Sequence, residues 1–135
     1  MSRTLNKNVF IKIAAVVAVL FSLLTIVEGT QVLLGITTPE YVVLTPLLIY
    51  NVIMGIVGLF VGGMIWVTHE KALLLTSVVA VLHLIVLIVV GLIYIFDSAV
   101  AMHSVQAMMI RTVVWLAIAL ITSKQINNMK LTLKR

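Results

Sequence analysis

Two formally charged side chains lie deep inside long apolar stretches of this sequence: Glu28 in the first stretch and Arg111 in the last. An unpaired charge in hydrocarbon costs at least ~2.5–3.5 kcal/mol, so each group must find an opposite charge or water. With a rise of ~1.5 Å per residue, Arg111 falls near the middle of its stretch and Glu28 lies roughly 10 Å nearer the outer end. Because an arginine side chain is long and can reach outward, the signs and depths permit a Glu28–Arg111 ion pair.

Further polar side chains accompany this pair within the apolar stretches. Asn51 lies between the two charges in depth, where its amide could bridge them. The others are a histidine near the middle of the third stretch and two residues near the outer end of the fourth: His83, His103 and Gln106. Three interpretations stay open: a structural ion pair that fixes helix register, a ligand, ion or proton site in the outer half of the protein, and a contact with a partner subunit.

The histidines also raise the question of a b-type haem. Two axial ligands must lie at the same depth on opposite sides of the iron, whereas His83 and His103 differ in depth by roughly 15 Å. We therefore predict no cofactor and keep haem b, with another ligand opposite His83, as an alternative. Glu28, Gln31 and His103 would form a mixed oxygen and nitrogen metal site only if the first and fourth stretches touched. We predict no metal.

Catalytic signatures are missing from the sequence. There is no cysteine, which excludes disulfides, thiolate metal sites and cysteine nucleophiles. Motifs of serine hydrolases, nucleotide-binding proteins and zinc proteases are likewise absent. Nothing in the pattern calls for an enzyme, and a non-catalytic role is favoured.

The composition and the apolar runs predict that these residues lie on membrane-spanning helices. The 135 residues are 63% hydrophobic and 10% charged, whereas soluble domains have about 25% charged residues. Four apolar runs, about 9–34, 41–67, 72–96 and 99–123, each exceed the ~20 residues that a helix needs to span a bilayer. The short loops between them force neighbouring helices to be antiparallel. We therefore predict an all-α integral membrane protein, a single four-transmembrane-helix bundle over residues 1–135.

The orientation of this bundle follows from its basic residues. Apart from Arg111, they precede the first run or lie just inside its start, occupy the loop between the second and third runs, and form a basic tail over 124–135; they are Arg3, Lys7, Lys12, Lys71, Lys124, Lys130, Lys134 and Arg135. The other two loops have no lysine or arginine, so the positive-inside rule predicts that both termini are cytoplasmic. We expect a multi-pass protein of the cell membrane, plasma or bacterial inner, whose basic groups meet lipid headgroups, and we expect no nucleic-acid partner.

A stripe of small residues predicts one helix interface. Asn51, Gly55, Gly58 and Gly62 are spaced by four, three and four residues and so share one face of the second helix. Glycines at this spacing let another helix approach closely, so we expect this face to pack inside the protein.

These features lead to three functional hypotheses. The first is a small non-catalytic subunit or assembly factor of a larger membrane complex, because the loops are short and catalytic motifs are missing; its partners would be other membrane-protein subunits or further copies of the chain. The second is a small transporter or ligand- or proton-binding protein that uses Glu28, Asn51, His83 and Arg111. The third is a membrane haem b protein.

Overall fold

Four long α-helices make up the fold. The computed structural model describes residues 2–97 and 99–133, and within these ranges it contains no strand. The helices are α1 (Ser2–Leu33), α2 (Thr45–Trp66), α3 (Ala72–Asp97) and α4 (Met102–Leu133). Each contains a segment long and apolar enough to cross a membrane: Val9–Leu33, Thr45–Trp66, Ala72–Asp97 and Met102–Asn128. The structure is therefore all-helical and compatible with a multi-pass membrane protein.

The start of α2 differs from the prediction. We expected the second run to become helical near residue 41, but the chain stays irregular or extended until Leu44 and the helix begins at Thr45. Pro46 then lies in the first turn, where its missing N–H leaves no hydrogen bond unmade. A helix that began four residues earlier would place Pro46 in its interior, at a cost of about 3 kcal/mol.

The other helix ends show two related C-terminal motifs. After α1, the Gly35 N–H donates to the Val32 carbonyl, the Ile36 N–H donates to the Gln31 carbonyl, and Gly35 has a φ of +69°. This is the Schellman pattern, in which a left-handed residue satisfies the last carbonyls of the helix. The same pattern ends α2, but there the left-handed residue is Thr68, with a φ of +56°.

The helices form a ring in chain order. α1 packs most extensively on α2, and α3 packs on α4, while the α1–α4 and α2–α3 interfaces are smaller. The bundle is thus two helical hairpins joined along a seam. We call the end with the loop 34–44 the upper end, and the end with the loop 67–71 the lower end. The outward faces are almost entirely exposed apolar side chains.

The lower end carries a specific link between α1 and α2. The Lys12 ammonium donates a hydrogen bond to the Trp66 carbonyl oxygen and lies 4.1 Å from the centre of the Trp66 ring. It therefore satisfies one of the last carbonyls of α2 and places a positive charge at the negative end of the helix dipole. Below this point α4 continues as a helix to Leu133, so most of the segment expected as a basic tail is helical.

Candidate functional site

A cavity of about 140 Å³ opens near the upper end of the bundle. Its polar lining consists of side chains from α1, the loop 34–44, α2 and α4: Glu28, Tyr41, Asn51, His103, Ser104 and Arg111. Its remaining walls are mainly apolar, with Leu44, Leu47 and Ala107 among them. Among the described residues, none from α3 lines it. The cavity is amphipathic and lies on the seam between the two hairpins.

Polar atoms at the floor of this cavity have no protein partner. The Oδ1 atom of Asn51 and the Nε atom of Arg111 are both buried without a hydrogen bond to the described residues, and Asn51 as a whole is only 8% exposed. A buried polar group that lacks its hydrogen bond costs about 1–3 kcal/mol, and more if it is charged. The folded protein therefore keeps unsatisfied polar atoms in two residues that line this cavity.

Glu28 and Arg111 share this cavity without touching. The Glu28 side chain is exposed, at the mouth, and its charge attracts that of Arg111. No salt bridge joins them in the part of the chain that the structure describes. The direct ion pair that the sequence permits is thus not formed. The structure brings the Glu28 carboxylate, the Arg111 guanidinium and the Asn51 amide to the lining of one cavity.

A second, much smaller cavity lies directly below the first. Its volume is about 10 Å³, close to that needed for one water molecule. Asn51 and Arg111 line both cavities, while Ser22, His83 and Trp115 line only the lower one. The Ser22 hydroxyl is also buried without a partner. The polar lining therefore continues from the upper end toward the middle of the bundle.

His83 is the most deeply placed of the predicted site residues. It is 2% exposed, and its Nδ1 lies 3.2 Å from the Tyr50 hydroxyl. The Tyr50 ring meets it edge-on and the Trp115 ring lies 6.3 Å away, stacked. The Thr112 hydroxyl donates to the backbone carbonyl of Met108. The same hydroxyl lies 3.2 Å from the backbone carbonyl oxygen of His83, and this contact links α4 to α3. Contacts from both α2 and α4 therefore fix the position of His83.

His103 and Gln106 lie elsewhere. The His103 ring is 5.1 Å from that of Tyr41, so these two exposed side chains together form part of the wall of the larger cavity. Gln106 is exposed and lines neither cavity. His83 and His103 face different cavities, which gives them no common position for an iron atom. Among the described residues, no group of three histidine or acidic side chains is arranged to hold a metal ion.

The glycine stripe of α2 lies against α1. A Cβ atom at Gly55 would contact Ile26, one at Gly62 would contact Val19, and one at Gly58 would overlap both Ser22 and Trp115. Glycine is therefore required for the close approach of the two helices here. Because Gly58 also faces the Trp115 ring of α4, its missing side chain brings three helices together beneath the small cavity.

Some residues of this region were not predicted from the sequence. The loop 34–44 supplies Tyr41, and the inward face of α1 contains Ser22 and Gly29 rather than Glu28. A signal for this face was present, since small and hydroxyl residues recur at helical spacing along it: Ala14, Ala15, Ala18, Ser22, Thr25 and Gly29. The sequence interpretation gave weight to the charge of Glu28, which lies one position away from this face.

Comparisons with protein-family models, curated proteins and solved structures found no match to this chain. Its function has to be argued from the site itself.

Proposed function

We propose that the four helices cross the cell membrane with both chain ends on the cytoplasmic side. The support is the uneven distribution of lysine and arginine: apart from Arg111 they lie in the loop 67–71 or toward the two chain ends, and none lies in the loop 34–44. In this orientation the larger cavity opens toward the outside. Its polar floor then lies within the outer half of the bilayer, where an unsatisfied guanidinium is costly.

We further propose that the protein binds a small polar ligand in this cavity, as a receptor or transporter does. One observation carries the proposal: Arg111 and Asn51 both line a cavity of about 140 Å³, and each has a buried polar atom, Nε and Oδ1, without a hydrogen bond. A ligand with matching oxygen and hydrogen atoms would remove a penalty of several kcal/mol that the empty protein bears.

The arrangement favours binding over a purely structural role for the charges. A structural ion pair is effective when its partners touch and satisfy each other's hydrogen bonds, because the desolvation cost is otherwise uncompensated. Glu28 and Arg111 instead stand apart on one cavity with apolar walls, as expected of a small-molecule site. The subunit hypothesis makes no use of this cavity.

Filling the cavity tests the proposal. Ala107 lines it, whereas Ala117 lies ten residues further along α4 on the exposed face, so Ala107→Phe and Ala117→Phe add the same group inside and outside the site. In native mass spectrometry of protein purified from its own membrane in mild detergent, we expect a bound small molecule on the wild type and on Ala117→Phe, but not on Ala107→Phe.

Two other results would contradict ligand binding. A wild-type protein without any bound mass, copurifying with another membrane protein in fixed ratio, would favour the role of a complex subunit. An equal bound mass on all three proteins would place the ligand outside this cavity.

A further inference from the structure

We infer that the ligand's polar group is a singly charged oxyanion, either a carboxylate or a phosphodiester. This inference rests on the proposed ligand binding and specifies its chemistry. Arg111 carries the fixed positive charge of the cavity, and its planar array of N–H donors matches the two oxygens of such a group. A cationic ligand would have to lie beside this guanidinium in a poorly solvated site.

The charges around the cavity set the ligand charge at one. α4 supplies Arg111 and His103, the loop 34–44 supplies Tyr41, α1 supplies Glu28 at the mouth, and α2 supplies only the neutral Asn51. The Glu28 carboxylate is exposed and solvated at the mouth, so inside the bundle the Arg111 guanidinium is the charge to be balanced, and it neutralises one negative charge. A dianion such as a phosphate monoester would leave a net charge inside the bundle, at a further cost in a medium of low dielectric constant.

The hydrogen-bonding groups point to the same class. Arg111 Nε has an N–H to donate, and Asn51, which lines both cavities, has an amide N–H₂ to donate and an Oδ1 without a donor. Ser104 and Tyr41 add hydroxyl donors along the wall. A ligand that offers two acceptor oxygens uses all of these donors, whereas an amine uses none of the N–H donors.

The size of the cavity limits the rest of the ligand. Its volume of about 140 Å³ is near that of a cavity that admits one benzene ring. The site therefore accommodates a small aromatic or branched carboxylate that extends partly into the open mouth, or the headgroup portion of a lipid whose acyl chains remain outside. These two sources share the same oxyanion and are separated by the experiment below.

Glu28 acts against the ligand in this scheme. It is a like charge at the mouth of the same cavity, so it weakens the binding of any anion while it is ionised. Replacing its carboxylate with an amide of the same shape should tighten anion binding by roughly tenfold, for two charges at an effective dielectric constant of about 20. The effect on a neutral ligand should be small.

Three probes of equal size and different charge test the inference: benzoate, benzyl alcohol and benzylamine. Titration calorimetry of the full chain in a neutral detergent measures their affinities. Trp115, in the small cavity below Arg111, gives an independent fluorescence signal in a Trp66→Phe background. We expect benzoate to bind at least tenfold more tightly than the other two. Arg111→Gln should abolish that preference, and Glu28→Gln should increase it.

The outcomes distinguish the two levels of the proposal. Equal or tighter binding of benzyl alcohol or benzylamine overturns the assignment of an oxyanion but leaves the ligand site in place.

If none of the probes binds, a second experiment tests whether the ligand is a lipid. Protein in nanodiscs of phosphatidylglycerol is extracted and washed, and its retained phospholipid is counted by native mass spectrometry. One lipid retained by the wild type and lost in Arg111→Gln identifies a phosphodiester headgroup. No retained lipid and no bound probe would overturn the oxyanion and the ligand site together.

Discussion

At the scale of single residues, the site is built from groups that weaken the fold. Arg111 and Asn51 contribute buried polar atoms without partners, and Ser22 adds a third immediately below them. Native proteins leave few such atoms, because each lowers the free energy of unfolding. Among the described residues, three of the five such atoms belong to residues that line the two adjoining cavities, which supports the proposed ligand site; the other two, in Thr122 and Gln125, lie further along α4.

Removing the charge should therefore stabilise the empty protein. Methionine is similar in length to arginine and needs no hydrogen bond, so Arg111→Met should raise the free energy of unfolding by about 1–3 kcal/mol. Thermal unfolding in detergent without added ligand measures the change, with Glu28→Gln as the control expected to alter stability little. A fall in melting temperature for both variants would instead reveal a structural ion pair between Glu28 and Arg111.

The sequence predicted the chemistry of the site better than its geometry. Asn51 and Arg111 stood out because a polar group in an apolar helix is costly anywhere, whatever the neighbours. The contribution of Tyr41 was not predictable, because it depends on how an irregular loop folds over the cavity. The inward position of Ser22 was missed, because the hydroxyl group of a serine in a membrane helix can bond to its own backbone and so gives a weak pattern.

At the scale of elements, the two Schellman endings make a natural comparison. Both place one residue in the left-handed region, but the first uses Gly35 and the second uses Thr68. A residue with a Cβ atom pays roughly 1–2 kcal/mol for this conformation, and a branched one is the least suited to it. The lower loop therefore holds local strain that the upper loop avoids.

Exchanging these residue types should shift stability in opposite directions. Thr68→Gly relieves the strain but loosens the unfolded chain, for a net gain of about 0.5–1 kcal/mol in the free energy of unfolding. Gly35→Ala should cost about 1 kcal/mol through its backbone alone, because no atom lies within 4 Å of the added Cβ. Denaturant unfolding in mixed micelles measures both variants. Equal loss in both would contradict the interpretation of strain at Thr68.

The beginning of α2 illustrates why helix boundaries are hard to predict. Hydrophobicity continues smoothly from Tyr41 into the helix, so composition alone gives no reason to stop at residue 45. The decisive residue is Pro46, which is tolerated in a first turn and disruptive in an interior. A helix that starts next to Pro46 has the observed boundary at Thr45.

At the scale of the whole molecule, the positions of the four helices were predictable and their arrangement was only partly so. Length and hydropathy are enough to find spans, because the bilayer imposes both. Short loops give the neighbours along the chain. That α1 and α4 meet around Gly58 and Trp115 depends on side-chain shape across three helices.

The proposed orientation can be tested cleanly because the chain has no cysteine. Ser104→Cys lies in the cavity, Thr68→Cys in the lower loop and Ala117→Cys on the exposed apolar face of α4. With a charged, membrane-impermeant maleimide, we expect Ser104→Cys to react in intact cells and Thr68→Cys only after permeabilisation. Ala117→Cys should stay unlabelled throughout. Reaction of Thr68→Cys in intact cells would reverse the topology.

Among the described residues none from α3 lines the large cavity, and this has a mechanical consequence. Two sides of that wall belong to the α1–α2 hairpin, while the third belongs to α4, which moves with α3 if the hairpins move as units. A sliding or tilting of one hairpin past the other would change the volume of the compartment without unfolding any helix. A ligand that binds more tightly at one distance between the hairpins shifts the population of hairpin positions by as much as its affinities for them differ. Ligand binding at the upper end would then change the contacts between the hairpins along the entire seam.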